Sequence, residues 1–246
     1  MSVPIRAVHG REYQLLTAAH RARKRGHERE AIRLYKRILI EYPHNLAVTL
    51  RVAPMLALAG EDFEAWQLYR RAAHEYARKR QYNDCLALYR EACRLLPLEF
   101  EAWRLCAELQ VRLGQPEGAF ETLVEGRMHF GAPHSRAQAI ALLARAREIE
   151  PWDDALLLDL AQLYVGDDQP DMALELLAML SCRVEGAMLR RVRWMQLRAT
   201  RSPRYLLLWI RALGSTTPAE PTPSPEPFHP IELDPEERPA LCEVGS

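Results

Sequence analysis

Apolar residues return every three to four positions over most of the chain. In "LAVTLRVAPMLALAG" they fall at Leu46, Leu50, Ala53, Leu56 and Ala57, and Gly60 follows. This is the period of one buried helix face. Long alternating runs of β-branched residues are absent, so strands are not required. Glycine closes several apolar stretches, since it adopts a left-handed cap without a Cβ penalty. Proline closes others, because it cannot continue a helix. The pattern predicts helices over 12–25, 28–41, 46–59, 62–79, 82–95, 99–113, 116–129, 134–149, 153–165, 170–181, 184–200 and 203–213. Asp62 and Asn83 stand where N-caps belong. Pro54 falls inside the third segment and predicts a kink or a later start.

The segments repeat. Gly26 to Gly60, Ala31 to Ala65 and Tyr35 to Tyr69 are each 34 residues apart. Pro43, Pro97 and Pro151 are spaced by 54, twice over. Ala53, Ala107 and Ala161 keep register with those prolines, as do Ala65, Ala119 and Ala173. Gly60 and Gly114 correspond, with Asp168 in the third place. A 54-residue unit therefore reads as one helical hairpin of 34 residues plus one further helix. Small residues recur where two helices cross closely: Ala19 with Ala31, Ala53 with Ala65, and Ala107 with Ala119. Four positions on, Tyr35, Tyr69, Leu123 and Leu177 fill the gap toward the next helix. Such a hairpin leaves an apolar side bare and must stack on its neighbours. The second helix of one hairpin, over 62–79 or 116–129, is expected to pack on the extra helix as well.

These residues resemble the tetratricopeptide repeats. Gly26, Ala31, Tyr35 and Pro43 match the family pattern in one copy, and Gly60, Ala65, Tyr69 and Ala72 in the next. Trp103, Ala107, Gly114 and Ala119 match in a later copy, and Tyr89, Ala92 and Pro97 in the segment before it. The resemblance covers about residues 12–180. It implies an all-α, right-handed solenoid of helical hairpins with about 11–12 helices. It also implies a concave face lined by the first helix of each hairpin. The family's groove positions carry over to Leu16, His20, Arg23 and Lys24, then to Leu50, Arg51 and Ala57. Further on they fall at Arg104, Glu108 and Arg112, and at Leu158, Asp159 and Gln162. The asparagines with which some members clamp a C-terminal carboxylate are missing, which argues against a chaperone-tail clamp. The arginines are suited to fork acidic groups on a peptide.

Charge is zero overall but unevenly placed. Residues 1–213 hold 32 basic and 26 acidic residues, and residues 214–246 hold one basic and seven acidic. Two arginine-rich stretches flank the body: ten bases against three acids in 1–37, and eight Arg against one Glu in 183–211. Only Lys24, Lys36 and Lys79 are lysines, a skew that suggests a GC-rich bacterial genome and weakens the arginines as a sign of nucleic-acid binding. After Gly214 eight prolines fall within 32 residues, which predicts a disordered or polyproline-like tail. The tail carries Phe228, Ile231 and Leu233 among its acids, a motif suited to dock on the basic body. The domain plan is thus an extension at 1–11, a repeat domain at 12–213 and an acidic tail at 214–246.

Catalytic chemistry finds little support. Walker, GxGxxG and GxSxG motifs are absent, and "HEY" at His74 is not continued by a second histidine at position 78. Cys85 sits at a small-residue position and reads as a buried structural thiol. The five cysteines form no CxxC, and the first residues lack the apolar core of a secretory signal. These features predict a cytoplasmic, non-catalytic scaffold with no cofactor, which binds a protein partner as a peptide or helix. An assembly factor for a secretion or pilus-type subunit is the alternative, favoured if the groove is apolar. Nucleic-acid binding through the arginine-rich ends is a distant third.

Overall fold

The computed structural model describes residues 5–214, with side chains over 10–213. These residues form twelve α-helices in series and no strand. They are α1 (Ile5–Lys24), α2 (Glu28–Glu41), α3 (Leu46–Leu58), α4 (Asp62–Arg78), α5 (Tyr82–Leu95) and α6 (Phe100–Arg112). There follow α7 (Pro116–Arg127), α8 (Arg136–Ile149), α9 (Asp154–Gly166), α10 (Pro170–Ser181), α11 (Gly186–Thr200) and α12 (Pro203–Gly214). The predicted segments recur within two residues at each end, apart from α1. That helix begins at Ile5, so residues 5–11 are helical. Pro54 neither moves nor ends α3, which runs through it. Proline removes one hydrogen bond from a helix, and buried Val52, Ala53, Leu56 and Ala57 hold the turn on either side. Asp62 and Asn83 lie inside their first turns, and the N-caps are Glu61 and Gln81.

Each helix packs on the next along the whole array. α3 also reaches α5, and α9 reaches α11. The 54-residue spacing therefore corresponds to units of three helices, α3–α5, α6–α8 and α9–α11. Within them α4 packs on both α3 and α5, and α7 on both α6 and α8. The result is an all-α solenoid of helical hairpins.

Five turns share one cap geometry. A backbone N–H reaches back to the carbonyl five residues earlier: His27 to Ala22, Glu61 to Leu56, Gln81 to Tyr76, Gln115 to Gln110 and Gln169 to Tyr164, at 2.9–3.0 Å. The residue before each donor is left-handed, with φ of 77° at Gly26, 78° at Gly60, 58° at Arg80, 73° at Gly114 and 56° at Asp168. Three of the five are glycine, the residue this conformation favours. Arg80 and Asp168 hold it at a cost of about 1–2 kcal/mol each. Arg80→Gly and Asp168→Gly are therefore expected to raise the unfolding free energy by about 1 kcal/mol each. Urea titration checks this, and an unchanged or lower midpoint in both variants contradicts it.

The core follows the repeat. Ala19, Ala31, Ala53, Ala65, Ala107 and Ala119 are all buried, as are Tyr35, Tyr69, Leu123 and Leu177. The hydroxyls of Tyr35 and Tyr69 are buried with no hydrogen-bond partner among the described residues. Burial raises the Tyr69 phenol above its ordinary value, with Glu91 adding to the effect. On the surface, Lys36 of α2 bridges to Glu61 at 2.6 Å and Glu64 at 2.5 Å, tying α2 to the start of α4 across α3.

Candidate functional site

The sequence-derived groove residues separate into several places. His20, Arg23 and Lys24 line a recess of about 590 Å³ along α1 with Thr17 and Arg21. Arg51 of α3 donates a hydrogen bond to His20 Nε2, which joins the first two groups. Leu16 is partly buried against the core. Leu50 lines a groove of about 520 Å³ with Tyr76 of α4 and Leu88, Arg90 and Arg94 of α5. Arg104 is tied within α6, to Glu101 at 2.5 Å and Glu108 at 2.5 Å. Arg112 is exposed. Leu158 is 3% exposed and belongs to the core, so it offers no surface to a ligand. Seven residues of α9 are buried, because this helix meets α8, α10 and α11. Asp159 is committed to Arg127 of α7: Nη2 donates to Oδ1 at 2.7 Å, and Nε lies 2.5 Å from Oδ2. Of the three α9 positions predicted for the groove, Gln162 lines a cavity, together with Leu163, Val165 and Gly166. The tail residues Phe228, Ile231 and Leu233 lie outside the described residues.

The accepting Nε2 of His20 requires a neutral imidazole. Burial lowers the His20 pKa below its ordinary 6.5, and Arg51, Arg23 and Lys24 lower it further. Between its folded value and 6.5 the unfolded chain holds a proton that the folded chain does not. Stability at this site is present above 6.5 and is lost as pH falls through that window. His20→Gln is expected to flatten the decline in melting temperature from about pH 7 to about pH 5. An identical pH profile in the variant contradicts this.

A cleft of about 580 Å³ opens between α5, α6 and α7, continuous with the α3–α5 groove through Arg90 and Arg94. Trp103 forms its wall. The indole Nε1 donates to Pro97 O at 3.0 Å, and the ring stacks on His129 at 5.3 Å. The ring also lies against Gly126, where a Cβ would approach to 2.8 Å. Gln110 Oε1 accepts from Thr122 Oγ1 at 2.8 Å. The Cys93 thiol meets that of Cys106, and this contact together with burial holds Cys93 well above the ordinary thiol range. Cys85, Cys93 and Cys106 are all buried. The cleft mixes Arg90 and Arg94 with Glu121 and Glu125, so it carries no net preference for an anion.

A second cationic feature, beside the α1 recess of Arg21, Arg23 and Lys24, lies further along. A cavity of about 480 Å³ is enclosed by α7, α8, α9 and α11 and lined by Arg127, Arg136, Arg191, Arg198, Gln162 and Trp194, among others. No carboxylate among the described residues lines it. Arg127 is neutralised by Asp159. Arg136 donates to Gly166 O at the end of α9, where the absence of a side chain lets the guanidinium lie within 3.1 Å of the Cβ position. Arg191 donates to Gln162 Oε1 at 3.3 Å. Three guanidinium groups, those of Arg136, Arg191 and Arg198, thus face one cavity with no acid paired to them among the described residues. Trp194 is 45% exposed and supplies an aromatic wall. Guanidinium groups recognise carboxylate or phosphate by bidentate hydrogen bonds. The arginine excess over 183–211 pointed toward this site. Arg127 and Arg136 were not anticipated, since a helix pattern does not reveal which distant helices meet.

Fold and site together describe a helical-repeat protein with a cationic cavity. The tetratricopeptide repeat family model matches residues 134–181, which span α8 to α10. That stretch reads as tetratricopeptide repeat, and the same frame of caps, alanines and prolines recurs from Gly26 onward. No curated protein matches the sequence. Among solved structures, a tetratricopeptide repeat protein from Parabacteroides merdae is 16% identical, covers 85% of this chain and 94% of its own, and has a TM-score of 0.32. The pilF protein of Pseudomonas aeruginosa is 12% identical, with 85% and 95% covered and a TM-score of 0.28. Yeast Tom70 is 16% identical, with 76% and 47% covered and a TM-score of 0.29. No helix among the described residues is long and apolar enough to cross a membrane.

Proposed function

We propose that this chain is a non-catalytic scaffold that holds an extended acidic peptide of a partner protein. Tetratricopeptide repeats build protein–protein interaction surfaces, and the observation that selects this ligand is the cavity with three unneutralised arginines and no lining acid. Arg136, Arg191 and Arg198 bind the peptide's carboxylates, and Trp194 packs against its aliphatic or aromatic side chains. The family-derived expectation of one groove along the first helices gives way to this more local site. Its apolar version, which favoured an assembly factor, loses support because Leu158 is core and Leu16 packs partly against the core.

Fluorescence anisotropy with labelled peptides tests the reading on the full chain. An acidic peptide is expected to bind at least about tenfold more tightly than its amide-substituted counterpart, and to weaken as salt rises. Equal affinity for the two peptides overturns the proposal. So does tighter binding of a single-stranded oligonucleotide than of the acidic peptide, which would make the site one for nucleic acid.

A further inference from the structure

Among the described residues the last helix, α12, leaves an apolar stripe uncovered. Leu206, Leu207, Ile210 and Leu213 of α12 are 40–64% exposed. In a stacked array each helix except the last has a successor to cover such a face. Trp194 connects this stripe to the arginine cavity. It lines the cavity and meets Trp209 of α12, with ring centroids 5.4 Å apart and planes tilted by 47°. Trp194 lies seven residues before Arg201 and Trp209 seven after Ser202, so α12 runs back antiparallel along α11. Gly214 therefore lies toward the start of α11, on the side of Arg191.

The rest of the chain has matching chemistry. Residues 214–246 hold seven acids and one Arg, whereas 183–211 hold eight Arg and one Glu. Phe228, Ile231 and Leu233 alternate with Glu232 and Asp234, and Glu236 and Glu237 follow. Phe228 lies fourteen residues beyond Gly214. At about 3.1 Å per residue in a proline-rich segment they span about 43 Å. α12 is only about 18 Å long at 1.5 Å per residue, so the segment reaches any point of α11 or α12.

We propose that residues 226–237 fold back across α11 and α12, so that the chain occupies its own peptide site until a partner displaces the segment. Phe228, Ile231 and Leu233 cover the stripe and Trp194. Glu232, Asp234, Glu236 and Glu237 enter the arginine cavity. This rests on the acidic-peptide reading of that cavity. A tethered ligand acts at an effective concentration near the millimolar range, so a partner must bind well enough to outcompete it.

Amide exchange read by mass spectrometry on the full chain tests the contact. Residues 226–237 are expected to exchange at least about tenfold more slowly than a synthetic peptide of the same sequence. The protection is expected to vanish in about 0.5 M salt and in the full-length variant Arg191→Glu/Arg198→Glu. Exchange at the free-peptide rate overturns the proposal. Protection of α12 that grows with protein concentration also overturns it, because a second copy would then be covering the stripe. A further variant of the full chain, with the seven tail carboxylates changed to amides, separates this inference from the function above. It is expected to bind the labelled acidic peptide at least about tenfold more tightly than the natural chain. Equal binding by both chains removes the self-occupancy and leaves the peptide site standing. A protected tail in the natural chain, with no acidic-peptide binding by the variant, keeps the contact and removes the proposed function.

Discussion

Trp103→Ala lowers the unfolding free energy by about 3–5 kcal/mol, the range for removing a large aromatic side chain from a core. The site has little capacity to collapse around the loss. Trp103 is 3% exposed, and its ring fills the space that Gly126 leaves by lacking a Cβ. Its N–H satisfies the Pro97 carbonyl at the turn between α5 and α6. The ring also stacks on His129. One side chain thus joins the end of one three-helix unit to the first two helices of the next. In a solenoid, stability is a sum of repeats and their neighbour contacts, so the loss weakens the middle of the array. Urea denaturation followed by circular dichroism measures the effect. A change below about 1 kcal/mol would mean that this contact is not a core joint. Gly126→Val attacks the same contact from the other helix and is expected to destabilise in the same way, since its side chain meets the ring.

The second large effect is on binding. Arg191→Glu with Arg198→Glu turns two of the three unneutralised cations of the cavity into anions. Charge-assisted hydrogen bonds contribute about 1.5–3 kcal/mol each, and like charges add repulsion. Acidic-peptide affinity is expected to fall by at least about a hundredfold. Arg191 is exposed, as is Arg198, so the melting temperature should move little. A fall of less than about threefold would place the peptide elsewhere.

The fold was largely legible in the chain because its signals are local. Period, cap and proline mark α2, α5 and α10 at the residues where the structure starts and ends them. Asp168 took the place of a glycine in the repeat and adopts the glycine conformation. Arg80 does the same, and it lies 20 residues after Gly60, as Cys85 lies 20 after Ala65. Nothing in an arginine announces a left-handed residue, so only that offset could have marked it. The N-caps at Asp62 and Asn83 were misplaced by one and two residues because acids and amides are also common inside a first turn.

The site was less legible because it is assembled over distance. Arg127 and Arg198 are separated by 71 residues and line one cavity. The groove positions were carried over on the assumption that the first helix of every hairpin shows the same face. A unit of three helices does not preserve that alternation, and α9 meets α11 as well as α8 and α10. Leu158 is therefore core, while Gln162, one turn on, faces the cavity.

The most direct measurement uses the indole N–H signals of the five tryptophans as separate reporters. Acidic peptide is added to the ¹⁵N-labelled full chain whose tail carboxylates have been changed to amides. The account predicts that the Trp194 signal shifts, that Trp209 follows through their ring contact, and that Trp66 and Trp103 stay fixed. Movement of Trp103 with Trp194 unmoved would place the peptide in the α5–α7 cleft and contradict the account, as would five unmoved signals at saturating peptide.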